Sequence, residues 1–486
     1  MFRFKVYQSG KPATALDLSG AYLQSGEHVP IRAELRFNKG ELTCEPRSRL
    51  AASLSIPWPV EGRGRLMLET PRLLERREPY NLPVELARGH MMRISLKRED
   101  WGLYDYAPGA NVYREVDAAR DLLLDAMTEA NESVAAGKAD RAIAAAVRAG
   151  EAVCGLHADV FLGRRHAADG QTKPLLGCRP TLTECYQPGE FGSGLLDLYG
   201  RDLAEIFDYL LLPVSWARIE PKEAAPSLAA LDPWVRLSRE RHRELWTGGL
   251  LSFQEGDLPP WLKGSSRNYN ALRETVAVHL RQMHRTLAPH VRRWEAVRGL
   301  HAFNPFKLSF DQIIDLTRTA VQLTKQAAPR SDVLVGITLP WGEYYAANAQ
   351  TIPPLLYAEM VLQGGIPLDA FGVEMRFGPH ACDSMVRDLL NISSHLDRFG
   401  ALGKPIHVTA TGIPGGPSAD GSDDAQAAWI RGFYRVALSK PFVESVCWRG
   451  LVDHADESFA GGLHRADGSA KPALRQLQTV RSEMTD

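Results

Sequence analysis

The chain has 486 residues, 44% hydrophobic and 24% charged, and its 57 Lys and Arg against 58 Asp and Glu give a formal net charge of −1. This composition argues against a disordered chain and against a membrane protein, and the near-zero charge supplies no overall field that would favour nucleic acid or an acidic polymer. At this length two domains, or one large barrel with an appendage, are expected.

The N-terminus, MFRFKVYQSG, alternates like a strand at once and lacks the apolar core of a secretory signal, so a cytoplasmic protein is expected. Short alternating segments follow, separated by Gly, Pro and Asn: Phe2 to Val6, Ile31 to Phe37, Ala51 to Ile56, Arg65 to Glu69 and Met92 to Leu96. They predict a small antiparallel β-sandwich over residues 1–112, a candidate carbohydrate-binding module. Trp58 and Trp101 read as core residues of that sandwich rather than as a sugar-stacking face.

Residues 113–157 change character, with Ala-rich sequence and apolar residues at helical spacing: Val116, Leu122, Leu123 and Ala126, then Ile143, Val147 and Ala152. A break at Ala135-Ala136-Gly137-Lys138 predicts a helical hairpin that links two domains.

Over 158–486 short apolar runs alternate with amphipathic helical patterns. The runs are Leu175 to Cys178, Tyr209 to Val214, Thr247 to Phe253, Arg293 to Val297, Val333 to Thr338, Phe371 to Met375, Ile406 to Thr409 and Ser445 to Trp448. Eight strands, each followed by a helix, predict an α/β fold, a (β/α)8 TIM barrel. A doubly wound sheet fits less well, because no Gly-rich phosphate loop follows the first strand. The apolar runs are far shorter than the ~20 residues that a membrane-spanning helix needs. In a barrel of this kind, chemistry belongs at the C-terminal rim, where strand ends run into the following loops.

The six cysteines, Cys44, Cys154, Cys178, Cys185, Cys382 and Cys447, lie scattered without metal-ligand spacing, and His380, Cys382 and Asp383 lack partners elsewhere, so no metal and no cofactor are expected. Nothing in the chain specifies an oligomeric state.

Four pieces of the rim share an order and spacing with a known family. They are Trp216-Ala-Arg-Ile-Glu220-Pro221 after the second strand, Leu258-Pro-Pro-Trp261-Leu262 after the third, Trp294-Glu295-Ala296-Val297 on the fourth, and Trp448-Arg-Gly-Leu-Val-Asp453 with Lys471-Pro472-Ala473 at the end. Together they resemble glycoside hydrolase family 10, the xylanase family, over roughly residues 172–483. The resemblance implies a barrel that binds poly- or oligosaccharide, with Trp216, Trp261, Trp341 and Trp448 as stacking platforms.

The same resemblance implies a disarmed site. The family's acid/base glutamate falls on Gly299, after Arg298, and its nucleophile falls on Ala410, within Thr409-Ala410-Thr411-Gly412. The polar residues that grip xylose fall on Leu211, Leu212 and Ser215, and a Trp-His pair falls near Phe253 and Gln254. Retaining hydrolysis needs two carboxyl groups ~5–5.5 Å apart, and neither a hydrogen nor a methyl group can serve as either.

Other carboxylates are candidates for relocated chemistry. Glu343 leads, in the segment Trp341-Gly-Glu343-Tyr344-Tyr345 after the fifth strand, where ring, carboxyl and hydroxyl groups together suit a sugar. Glu374 follows, at the end of the sixth strand, with Arg376 two residues on and so on the same side; an ion pair competes with catalysis there. Glu255 and Asp257 read as exposed loop residues and Glu295 as a buried salt-bridge partner that points away from the mouth. Asp453, His454, Asp456 and Glu457 form an acidic group after the eighth strand that could bind a cation or a basic sugar.

The leading expectation is a carbohydrate-binding protein whose family-10-like barrel lacks the catalytic pair. One alternative is an active glycoside hydrolase that uses Glu343 and Glu374, and another is a non-catalytic assembly scaffold.

Overall fold

The computed structural model describes residues 1–486 except 9, 27, 48–50, 104–109, 168–172, 192–193, 266–267, 349, 379–382, 414, 416–421, 455–460 and 485–486. The chain forms two compact units. The first comprises Met1–Ala167 with Trp341–Ala349 and Met385–Asp397, and the second comprises Ala168–Pro340, Gln350–Ser384 and Arg398–Asp486.

In the first unit, one four-stranded sheet has the order Tyr80–Asn81, Phe2–Lys5, Glu41–Pro46, Ala33–Asn38, and another has the order Pro30–Ile31, Tyr22–Gln24, Ser53–Val60, Gly64–Glu69. Trp58 is buried in the second sheet and donates from its indole N–H to Asp140, so it serves the core. Met92 to Leu96 is not a strand. It lies inside the helix Leu82–Asp100, which carries Pro83 in its first turn and buries Leu82, Leu86, Ala87, His90, Met91 and Ile94. That helical spacing over thirteen residues outweighs the five-residue alternation.

The helical hairpin also turns at a different place from the one expected. Helix Glu132–Ala167 runs unbroken through Ala135 to Lys138, where small buried residues (Ala135, Ala136, Ala139, Ala142) allow close packing and offset the one glycine. The turn falls instead before Glu132, where the Asn131 side chain accepts hydrogen bonds from the N–H groups of Ser133 and Val134.

The second unit is a closed parallel barrel of eight strands: β1 (Leu175–Arg179), β2 (Tyr209–Pro213), β3 (Glu244–Gly248), β4 (Val291–Arg298), β5 (Asp332–Ile337), β6 (Ala370–Arg376), β7 (Ile406–Gly412) and β8 (Val443–Arg449). Each strand pairs with its sequence neighbours, and β8 returns to β1 to close the ring. At least one helix follows every strand, among them Tyr269–Leu287 after β3, Phe310–Ala327 after β4 and Asp423–Leu438 after β7. The run Thr247 to Phe253 is split: Gly248 ends β3, Gly249 adopts a positive φ, and Leu251–Ser252 pairs separately with the end of β4. No helix among the described residues is long and apolar enough to cross a membrane.

Strand alternation decides what fills the lumen. At its base Tyr209 stacks on Trp246 with centroids 3.7 Å apart, His407 meets the edge of Trp246, and Ser445 bonds both the Tyr209 hydroxyl and His407 Nδ1. One level up lie Leu211, Cys447, Thr409 and Glu295. Two irregularities re-aim the top level. A register shift on β4 between Glu295 and Val297 brings Arg298 to the lumen, and another on β7 sets Ala410 opposite Glu374.

Candidate functional site at the barrel mouth

Four of the eight strands end in arginine: Arg179 on β1, Arg298 on β4, Arg376 on β6 and Arg449 on β8. Arg179 and Arg449 are register partners, one alternation above Gly177 and Cys447, and so share the lumen side. Arg376 stands two residues beyond Glu374 on an uninterrupted stretch of β6.

Three of these arginines, Arg179, Arg298 and Arg376, converge on buried carboxylates. Arg179 Nη1 lies 2.7 Å from Glu374 Oε1, and Arg298 Nη1 lies 3.3 Å from the same oxygen. Arg298 Nη2 also pairs with Asp257 and reaches Ser252 Oγ at 3.5 Å. Arg376 Nε lies 3.4 Å from Asp383 and 3.9 Å from Glu374 Oε2. Small neighbours make the space for this. A β-carbon on Gly248 would stand 3.4 Å from the Arg179 guanidinium, and one on Gly249 would stand 2.5 Å from Arg298 Cβ.

Burial alone would raise the Glu374 carboxyl, but the guanidiniums of Arg298, Arg179 and Arg376 overrule it and hold the group well below the usual carboxylate range. Burial also opposes the charge on Arg298, and the facing Asp257, Glu374 and Glu295 more than compensate.

Glu295 lies beneath this layer, and it faces the lumen rather than pointing away from it. Its carboxylate accepts from the Gly249 N–H at 2.7 Å and from the Thr409 hydroxyl at 3.4 Å. Gly336 and Gly372 leave the room it occupies, since β-carbons there would approach its Oε1 to 2.3 and 2.9 Å. Burial first, and the charge of Glu374 second, push it up to about 7, against the pull of Arg179 and Arg298.

Asp257 is likewise not an exposed loop residue. It is buried as the partner of Arg298, because its loop is tied down by the Ala217 N–H, which donates to the Asp257 carbonyl at 2.8 Å. Glu255 is exposed.

At the two positions where the resemblance implies catalytic glutamates, Gly299 follows the last residue of β4 and Ala410 lies on β7. Gly299 has φ +66°, and a β-carbon there would stand 2.6 Å from Thr338 Oγ1 and 3.2 Å from the Phe303 ring. Ala410 is buried beside Glu374.

The tryptophans expected as platforms have different surroundings. Trp216 stacks on His279 with centroids 4.1 Å apart and donates to Glu220 Oε2 at 2.8 Å; Trp261 donates to the Glu220 carbonyl at 2.8 Å. The Trp216-to-Glu220 stretch thus braces the loops after β2 and β3. Trp216 is buried, whereas Trp261 keeps part of its surface in solvent. Trp448 is fully buried and alternates with lumen-facing Cys447, so it points to the opposite side of β8. Trp294 likewise packs behind β4, 5.0 Å from the His284 ring. Partly exposed Phe303 and Phe306 add aromatic surface in the loop after β4.

Trp341, Glu343 and Tyr344 belong to the first unit. There Arg387 lies over one face of Trp341 at 4.6 Å, His395 stacks at 4.8 Å, and the Trp341 indole N–H donates to Asn391 at 2.8 Å. Glu343 Oε1 accepts from Arg387 Nη2 at 2.6 Å. The lead carboxylate is therefore an ion-pair partner of a fully buried arginine, in a different unit from Glu374. Tyr344 is half-buried.

After β8, Asp453 pairs with Lys471 at 2.5 Å and accepts the Gly462 N–H at 2.8 Å, and His454 meets Phe191 with centroids 4.6 Å apart. Asp456, Glu457, His380 and Cys382 lie outside the described residues. Among the described residues no three His, Cys, Asp or Glu side chains are grouped to hold a metal ion.

Sequence reasoning passed over Arg179 as a site residue and placed Glu295 and Asp257 wrongly. The available signal for Arg179 was a charged residue closing an otherwise apolar strand, Leu-Leu-Gly-Cys-Arg.

No family model matches the chain, and no curated protein matches it. Among solved structures, the chain is similar to xylanase 10B from Thermotoga maritima at TM-score 0.50 and 15% identity, over 64% of this chain and 95% of that one. It is similar to xylanase 10B from Thermotoga petrophila, solved with xylobiose, at TM-score 0.50 and 16% identity, over 65% and 95%. A family 10 endoxylanase from a sugarcane soil metagenome also matches, at TM-score 0.50 and 14% identity, over 64% and 97%. At such identities the likeness establishes the fold, a xylanase-like (β/α)8 barrel.

Proposed function

We propose that this protein binds poly- or oligosaccharide through a xylanase-like barrel that does not carry out retaining glycoside hydrolysis. The observation that carries the reading is Gly299. At the end of β4, where a family-10-like barrel would present its proton donor, the backbone is left-handed and Thr338 Oγ1 stands where a side chain would have to begin. Ala410, a methyl group at the corresponding end of β7, supports the same reading.

Relocated chemistry gains little support from the mouth. Glu374 is held ionised by three guanidiniums, so it has no proton to give near neutral pH, and it is too enclosed to reach an anomeric carbon without breaking the Arg179 and Arg298 pairs. Sugar binding is supported by the barrel type and by the partly exposed rings of Trp261, Phe303 and Phe306 at the rim.

The test is a panel of neutral and acidic polysaccharides, scored for retention by affinity electrophoresis and for release of reducing ends. Retention without product is expected. Product release that disappears in Glu374→Gln or Glu343→Gln would establish the hydrolase alternative instead. Failure to retain any glycan, together with self-association, would favour a scaffold.

A further inference from the structure

We infer that the barrel unit holds a neutral glycan in a cleft between the loops after β1 and β8, with the Phe191 ring in its lining and Asp197 and Arg201 reading the sugar hydroxyls. The inference rests on the carbohydrate-binding reading and gives it a place on the molecule.

The mouth itself offers a ligand little, since Arg179, Arg298, Asp257 and Glu374 are buried and committed to one another. The cleft shares no lining residue with them. Its volume is about 500 Å³, within the range of ~300–1,000 Å³ usual for small-molecule sites. Phe191, Leu198 and Val452 make its lining apolar, and Asp197, Arg201 and Asp467 bring charge to it.

The two walls are tied to each other by buried bonds. Helix Leu195–Glu205 forms one wall; its Tyr199 hydroxyl accepts the Leu451 N–H at 3.2 Å, and its Asp202 Oδ2 lies 2.7 Å from His464 Nε2. Earlier in the loop after β1, Glu184 Oε1 accepts the N–H groups of Leu451 and Val452, each at 3.2 Å. Tyr199, Asp202, Glu184 and His464 are all buried, so the cleft is shaped before any ligand arrives. The His454 ring, with centroids 4.6 Å apart, steadies Phe191, which stays half-buried rather than covered.

The charged groups on the helix wall, by contrast, are free. Asp197 and Arg201 stand one turn apart, acid before base, the arrangement that best suits an ion pair. They do not pair with each other. Among the described residues Asp197 has no hydrogen-bond or ion-pair partner, and Arg201 meets only Asp202, at 3.9 Å. Both are exposed. A free acceptor and a free donor fork beside an apolar ring match a pyranose, whose C–H face packs on the ring and whose hydroxyls both donate and accept. Two carboxylates against one guanidinium in the lining disfavour an acidic sugar.

The experiment is affinity electrophoresis of the full chain in glucomannan, mixed-linkage β-glucan, soluble xylan and polygalacturonate. Wild type should be retarded by at least one of the three neutral polysaccharides and less by polygalacturonate. Asp197→Ala and Arg201→Ala, at exposed positions and each checked for an unchanged melting curve, should weaken that retention about tenfold, and Phe191→Ala should do the same. Asp424→Ala and Arg431→Ala, exposed on helix Asp423–Leu438 and outside the cleft lining, should keep wild-type retention. Wild-type retention by both Asp197→Ala and Arg201→Ala overturns the cleft and leaves the carbohydrate reading standing. Losses matched by the two control variants reduce the effect to general charge and overturn the cleft as well. Stronger retention on polygalacturonate overturns the neutral class. No retention on any polysaccharide overturns both the inference and the reading it rests on.

Discussion

Gly299 and Thr338 are so close that a β-carbon on the glycine would lie 2.6 Å from the threonine hydroxyl. The positive φ of Gly299 adds a second constraint, because a side chain there strains the backbone as well as colliding. Gly299→Ala should therefore lower stability by ~1–3 kcal/mol, read from denaturant unfolding. Gly299→Glu combined with Ala410→Glu should not produce xylan hydrolysis in a reducing-sugar assay; appearance of that activity would mean that the frame is still competent and only disarmed.

Glu374 neutralises two arginines that have almost no access to water. Glu374→Leu should cost ~3–5 kcal/mol, since it strands both charges in a low-dielectric interior. Replacing the set together, with Arg179→Met and Arg298→Met added, should recover much of that loss. A triple variant no more stable than the single one would show that the charges do not act as a unit.

Stability should carry the titration of Glu295. Its folded pKa is raised from 4.5 to about 7, so the proton it holds stabilises the native state fully below the ordinary carboxyl range, and that contribution is lost as pH rises through about 7. Glu295→Gln, which mimics the protonated form, should gain on wild type between about pH 5 and 8, by at most about 3 kcal/mol. Melting curves of the two proteins across that range test this, and a constant difference would contradict it.

In the first unit, Arg387 is enclosed between Trp341, Glu343 and Tyr22. Arg387→Ala should open the upper face of Trp341 and remove the partner of Glu343, costing about 2 kcal/mol or more. Trp341 fluorescence should shift to the red and quench more readily with acrylamide. Glu343→Gln should have the milder effect, since an amide oxygen can still accept from Arg387 Nη2.

The barrel was legible because it is written locally. Eight apolar runs at helix-length intervals leave few topologies, and each run is placed by residues within one or two positions of it. The failures came where a short pattern competed with a longer one. Met92 to Leu96 alternates, yet the helix that contains it buries Leu82, Leu86, Ala87, Met91 and Ile94 at helical spacing. Ala135 to Lys138 contains a glycine, yet the packing of small residues on both sides carries the helix through it.

Residue identity by itself determined that no carboxylate follows Arg298 on β4 and that an alanine succeeds Thr409 on β7. Which groups fill the mouth was decided only in three dimensions. The shift after Glu295 turns Arg298 inward, and Asp257 closes on it from a loop forty-one residues away in sequence. Glu343 and Glu374, close in the chain and alike in composition, part company between two units. Side-chain parity within a strand can be counted from the sequence, but a one-residue bulge inverts it, and ion pairing depends on distances that only the closed barrel sets.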